Sequence, residues 1–409
     1  MTRGIEGDTM MFSESTIKKY CDVLLWALRK ARKGPCRRNE IVMVRYELPA
    51  LRLAEALQAS LLEAGMNPVL RVGMTPRMEK QFYGKSNKRQ LVFQPPGEKE
   101  LYQKLNGGIY LHAPDSLTHL AEVDSKKIGK AAVARKSLKD ILDRREETGK
   151  FSWTLCLFPT AELAEQAGLP MDRYVDQVIK ACYLDRKNPV AAWEETYRNA
   201  LEIKRWLNHM RIERLHVESN HVDLQIIPGA RRRWVGITGR NIPSFELFLS
   251  PDWRGTKGTY YADQPSYRNG NYVESVTLAF EKGKVVQSEA AKGGGFLAEQ
   301  VAMDPGAARV GEFSLTDKRF SKIDRFMANT LFDENYGGKH GNCHLALGAS
   351  YSDTYAGDVS SLTKDRKKKL GFNDSALHWD LVNTEDKRVT AYLSGGRKAV
   401  IYEKGMFAL

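Results

Sequence analysis

Cysteine is scarce in this chain of 409 residues. There are five (Cys21, Cys36, Cys156, Cys182 and Cys343), scattered, odd in number and with no Cys-x-x-Cys spacing. That pattern excludes a disulfide framework and a zinc-ribbon type of site. Long apolar runs are absent too, and no stretch approaches the roughly 18 consecutive apolar residues of a membrane helix. The opening Met1 to Phe12 lacks the basic-then-apolar order of a secretory leader. Glycine clusters occur at Gly293-Gly294-Gly295 and Gly337-Gly338-Lys339-His340-Gly341, without the spacing of either common phosphate-cradling motif. The expectation is a soluble protein of the reducing cytoplasm, with no membrane partner and no nucleotide loop.

Acidic charge is in deficit. Lys and Arg number 63 against 50 Asp and Glu, a formal net charge of +13. Such an excess raises nucleic acid as a partner, but it is lopsided: residues 1–210 carry 35 basic and 26 acidic side chains, and residues 211–409 carry 28 and 24. The strongest local feature is Arg231-Arg232-Arg233 followed by Trp234, guanidinium groups beside an indole that could stack on a base. A three-residue run of this kind in a β turn is more often plain surface. The basic runs Lys126 to Lys150 and Lys364 to Lys369 read as solvated faces.

A chain of this length exceeds the size at which one core keeps growing, so two domains are expected. Apolar residues at spacings of three and four between Ser15 and Lys33 predict a helix. Ile41–Tyr46, Pro68–Val72, Gly108–His112 and Ser152–Leu157 read as strands, with a helix over Ala50–Ala64 between the first two. This alternation predicts an α/β domain with a mainly parallel sheet. Asn188-Pro189 opens another helix, a capping amide with proline at the first turn. From about Leu215 the pattern turns to short strands: Val222–Ile227, Thr259–Ala262, Val273–Phe280 and Lys284–Val286. The boundary is placed near residues 205–212, giving an α/β N-terminal domain over 1–208 and an α+β, β-rich domain over 209–409.

The residues that read as chemistry lie in the second part. His378 and Asp380 are two apart, so a strand would point both to one face. His344, Glu312 and Tyr351 add an imidazole, a carboxylate and a phenol, types that hold a divalent cation or steady an oxyanion. Spacing alone leaves a packed core histidine and an ordinary strand as alternatives.

The segments Asn241-Ile242-Pro243-Ser244-Phe245-Glu246, Gly311-Glu312-Phe313, Asn329 to Asn335, Cys343-His344-Leu345-Ala346-Leu347-Gly348 and Gly371 to Asp380 resemble, in order, signature blocks of the thermophilic-aminopeptidase family of metallopeptidases, the aminopeptidase S and T type. The resemblance implies a metal-dependent, cytoplasmic, homodimeric aminopeptidase. It would release N-terminal amino acids from peptides with a free N-terminus, through water activated by two divalent ions (zinc, cobalt, manganese or magnesium). It makes Glu246, Glu312, His344, His378 and Asp380 the metal ligands and Tyr351 and Glu312 the catalytic residues. Asp353 and Asp223 are weighed for the substrate's α-amine and left outside that set. Phe245, Leu381 and Val382 depart from the residue types usual in the family at those places. Two other readings stand beside this one: a basic nucleic-acid-binding protein, and a metal-dependent hydrolase of another amide.

Overall fold

The computed structural model describes residues 11–409; residues 1–10, most of the stretch read above for a leader, lie outside the described residues. The helix Glu14–Lys30 is capped by Ser13, whose hydroxyl accepts from the Thr16 amide. It buries Ile17, Tyr20, Cys21, Leu24 and Leu28 along one side, as the spacing predicts. The strands Ile41–Tyr46, Asn67–Val72, Gly107–His112 and Ser152–Leu157 form the parallel sheet, with helix Leu51–Glu63 as the first crossover. Asn188 caps the long helix Pro189–His209 by accepting from the Ala191 amide.

A fifth strand was not legible. Asn241–Ile242, beyond the expected boundary, pairs in parallel with Leu155 and Cys156 and completes the N-terminal sheet. Two residues carry no periodicity, so only the folded chain reveals the pairing. Four residues later the same segment enters a different sheet at Glu246.

The rest of the chain builds a nine-stranded antiparallel sheet and a separate four-stranded sheet. In the larger sheet, Asn271–Glu281 and Lys284–Lys292 form a hairpin whose second strand runs six residues past the expected Val286. Those residues, Gln287 to Lys292, are polar or alanine and mostly exposed, and backbone pairing rather than side-chain propensity sets their conformation. An α/β N-terminal part and a β-rich C-terminal part are thus both present. All five cysteines are free. Among the described residues, no helix is long and apolar enough to cross a membrane.

Candidate metal centre

The four-stranded sheet runs in the order His378–Asn383, Asn342–Gly348, Val310–Thr316, Glu246–Leu249, all antiparallel. Its register sets Glu312 opposite Ala346 and Ala346 opposite Asp380, with His344 opposite Ser314, Glu246 opposite Thr316 and His378 opposite Gly348. Because side chains alternate along a strand, Glu246, Glu312, His344, His378 and Asp380 emerge on one face. The opposite face carries Leu247, Phe313, Leu315, Leu345, Leu347 and Trp379, all buried. The small side chains of Ala346 and Ser314 in the middle of the polar face leave space between the larger ones.

Every residue proposed as a ligand comes to this place. His344 Nε2 lies 3.2 Å from Glu312 Oε1, 3.3 Å from Glu246 Oε2 and 3.7 Å from Asp380 Oδ1. His378 Nε2 lies 3.2 Å from Asp380 Oδ1 and 3.9 Å from Glu312 Oε2. Glu312 therefore directs one oxygen toward each imidazole. Outside this group, Ser314 Oγ donates to Glu246 Oε2 at 2.8 Å. His378 Nδ1 is 2.9 Å from the Ala349 carbonyl, which leaves Nε2 aimed at the acids.

The electrostatics are those of acids crowded together out of water. Burial pushes the Glu246 carboxyl up to about 8, with Glu312 adding to the rise and His344 opposing it. Burial and the charges of Asp380 and Asp353 raise Glu312 well above the usual range, against the pull of His378. At Asp380 burial acts upward, but His378, His344 and Arg268 outweigh it and hold the carboxyl low.

A divalent cation fits these residues. Glu246, Glu312 and His344 each offer a donor atom, and the three atoms lie within 4.8 Å of one another. Glu312 Oε2 is buried and has no hydrogen-bond donor, an arrangement that a cation relieves. Carboxylate oxygen with imidazole nitrogen is a donor set for zinc, cobalt, manganese or magnesium.

Tyr351 follows the strand that carries His344 and stands beside the cluster, its ring 4.7 Å from that of His378 in an edge-on contact. Burial, with Glu312 and Asp380 nearby, raises its phenol well above the ordinary value, so it stays a donor at neutral pH. Asp353 is held by Arg240, whose Nη1 donates to Oδ2 at 2.6 Å while its Nε donates to Glu146 at 2.8 Å. Asp223 is elsewhere, on the nine-stranded sheet, exposed and 2.7 Å from His216.

Glu334 was not singled out by spacing, although it stands within the Asn329–Asn335 block. It is buried, its Oε1 accepts from Asn241 Nδ2 at 2.9 Å, and it lines the same cavity as Glu246, Glu312, His378 and Asp380. Burial first, then the charges of Glu246, Asp380 and Glu312, raise its carboxyl well above normal. The signal available in the sequence was an acid inside a signature block with no role assigned.

Other readings change with the structure. Trp234 is buried with its ring against Phe313, and Arg232 lies over the Phe372 ring and donates to the Ser250 and Leu370 carbonyls. No indole is free there to stack on a base. Phe245, read above as a departure from the family's usual residue type, stacks on Trp193 at 5.4 Å and is core.

A cleft of about 440 Å³ leads to the cluster. It lies outside the carboxyl ends of the parallel strands, at Glu47, Gly73 and His112, and is closed on the other side by Glu334, Tyr351, His378 and Asp380. Open α/β sheets place their ligands at this edge.

This arrangement of carboxylates and imidazoles on a sheet facing a cleft defines a metal-dependent hydrolase. Residues 13–407 match the thermophilic metalloprotease (M29) family, and the chain belongs to it. Among similar proteins, Aminopeptidase AmpS of Bacillus subtilis is 28% identical over 333 residues, spanning 76% of this chain and 79% of that one. Aminopeptidase T of Thermus thermophilus is 28% identical over 303 residues, spanning 69% and 72%. The solved structure of wild-type AmpT from Thermus thermophilus shares the fold, with a TM-score of 0.77 at 21% identity over 96% of this chain and 99% of that one.

Proposed function

We propose that this metallopeptidase is an aminopeptidase that removes N-terminal residues from peptides with two divalent ions held by Glu246, Glu312, His344, His378 and Asp380. The observation that carries this reading is Glu312, whose two oxygens face different imidazoles at 3.2 and 3.9 Å. A carboxylate so placed serves as a bridge between two positions. The names of the similar proteins support the exopeptidase reading.

The ions, when bound, supply Lewis acidity toward the scissile carbonyl and lower the pKa of water from 15.7 to about 7 in favourable sites. The chain's own residues do the rest. Tyr351 donates its phenolic hydrogen to the oxyanion of the tetrahedral intermediate. Glu312 takes up the proton released by the attacking water and delivers it to the leaving amine as the C–N bond breaks. The free α-amine needs a negative partner. Asp353 is already paired with Arg240 and Asp223 is remote, so we assign this to Glu334, the remaining acid on the wall of the metal-site cavity. The buried phenyl and indole groups behind the sheet keep the ligand strands fixed.

We also place the protein in the cytoplasm, on the support of five unpaired cysteines, take 1–208 and 209–409 as its domains, and read it as a homodimer, which light scattering tests. The functional test replaces His378 or Glu246 by Ala and follows hydrolysis of an aminoacyl-p-nitroanilide with Co²⁺ or Zn²⁺. Loss of turnover is expected; undiminished turnover removes the proposal.

A further inference from the structure

The metal-bearing face opens in two directions, and the two openings carry opposite charge. The small cavity at the cluster, about 50 Å³, shares Glu334, His378 and Asp380 with the cleft described above, and Thr238, Arg240 and Asp353 with a second, larger cavity of about 1110 Å³. Tyr351 lines all three. A substrate lying across the cluster thus has one end in each.

The 440 Å³ cleft is lined by five Asp and Glu, with Arg268 its sole Lys or Arg. The large cavity is lined by twelve Lys and Arg against seven Asp and Glu. Most of its acids are already engaged: Glu147 with Lys367, Asp143 with Lys139, and Glu146 and Asp353 with Arg240. On the basic side Lys33 and Lys368 form no ion pair among the described residues, while Arg309 lies over the Trp253 ring with its Nε buried and without an acceptor. The cavity wall is assembled from segments far apart in sequence, since Lys33, Lys139, Arg309 and Lys368 all contribute to it. The basic runs that read as separate solvated faces therefore meet around one space.

A short peptide at neutral pH is a zwitterion, with an ammonium at one end and a carboxylate at the other. An acidic cleft and a basic cavity on either side of the reacting centre match that charge order and fix the direction in which the peptide lies. The basic cavity exceeds the roughly 300–1,000 Å³ of ordinary small-molecule pockets, enough for a leaving portion of a few residues. In a long chain the carboxylate would lie far from the scissile bond and gain nothing from it.

We infer that the substrates are short peptides whose free C-terminal carboxylate is drawn into the basic cavity while the N-terminal ammonium lies in the acidic cleft. This rests on the aminopeptidase reading and adds a requirement at the far end of the substrate.

The experiment compares kcat/KM for Leu-Gly-Gly and for its C-terminal amide, using the full chain with Co²⁺ or Zn²⁺, and for leucyl-p-nitroanilide, which has no carboxylate. The free acid is expected to be preferred by about 3- to 10-fold, through KM, as suits exposed and half-buried charge pairs. In the double variant Lys33→Glu/Lys368→Glu the preference is expected to fall to near one while turnover of the anilide is unchanged. Equal rates for acid and amide in the unaltered chain overturn the inference alone, as does a preference that survives in the double variant. No turnover of any of the three substrates removes the aminopeptidase reading and this inference with it.

Discussion

Asn241 Nδ2 donates to Glu334 Oε1 at 2.9 Å, joining the last strand of the parallel sheet to a carboxylate on the wall of the metal-site cavity. The amide holds one oxygen of Glu334 and leaves the other to face the substrate, charged once the ammonium and cations at the neighbouring acids offset the repulsion that raises this carboxyl. Replacing Glu334 by Gln keeps an acceptor for Asn241 and removes the charge. KM for leucyl-p-nitroanilide should rise about 10- to 100-fold, the worth of a charge-assisted hydrogen bond to the ammonium, with the melting temperature little changed. A KM unaltered in Glu334→Gln would assign the amine to another group.

Tyr351 packs edge-on against both His378 and Phe248, with centroids at 4.7 and 5.9 Å. Phenylalanine reproduces those contacts without the hydroxyl. Tyr351→Phe should lower kcat by about 10²- to 10³-fold with KM nearly constant, the pattern for a donor that acts in the transition state. Steady-state kinetics on the anilide decide this, and an unchanged kcat would leave the phenol without its assigned role.

Lys204 is buried in the helix Pro189–His209, where Nζ donates to the Gly236 carbonyl at 3.0 Å and lies 4.7 Å from the centre of the Tyr197 ring. Burial, with Lys30 and Arg233 nearby, lowers its ammonium from 10.5 to about 8. Between about pH 8 and 10.5 the unfolded chain holds a proton on this group that the folded chain has lost, so its contribution makes stability rise with pH across that window. Below about pH 8 both states are protonated, and the buried charge costs the fold on the order of 3 kcal/mol. Chemical denaturation from pH 7 to 10.5 should show the unaltered chain gaining stability relative to Lys204→Met by about that amount. A pH-independent difference between the two would contradict the assignment.

Much of this was legible in the residues themselves. The α/β pattern of the first part follows from apolar periodicity, and the pair His378 and Asp380 needed only the two-residue repeat of a strand to be placed on one face. What brings Glu246, 66 residues before Glu312, onto that same face is sheet register, which has no local signature. The strand Asn241–Ile242 was hidden for the same reason, since two residues cannot show a period. Glu334 was hidden because its neighbours explain it as part of a short capped turn, with Asn329 accepting from the Leu331 amide. The charge of the large cavity is a tertiary property: Lys139 and Lys368, read from the sequence as parts of separate solvated runs, are set by the fold around a common space with Lys33.

The central claim is that five side chains from four strands hold two cations needed for hydrolysis. Its most direct test is elemental analysis of the chain purified without added metal, joined to turnover of leucyl-p-nitroanilide before chelation, after it and after re-addition. Two divalent ions per chain, loss of turnover on their removal, recovery on their return, and fewer than two ions in His378→Ala are predicted. Full hydrolysis by the metal-free chain, or a single ion per chain at full activity, would contradict the account.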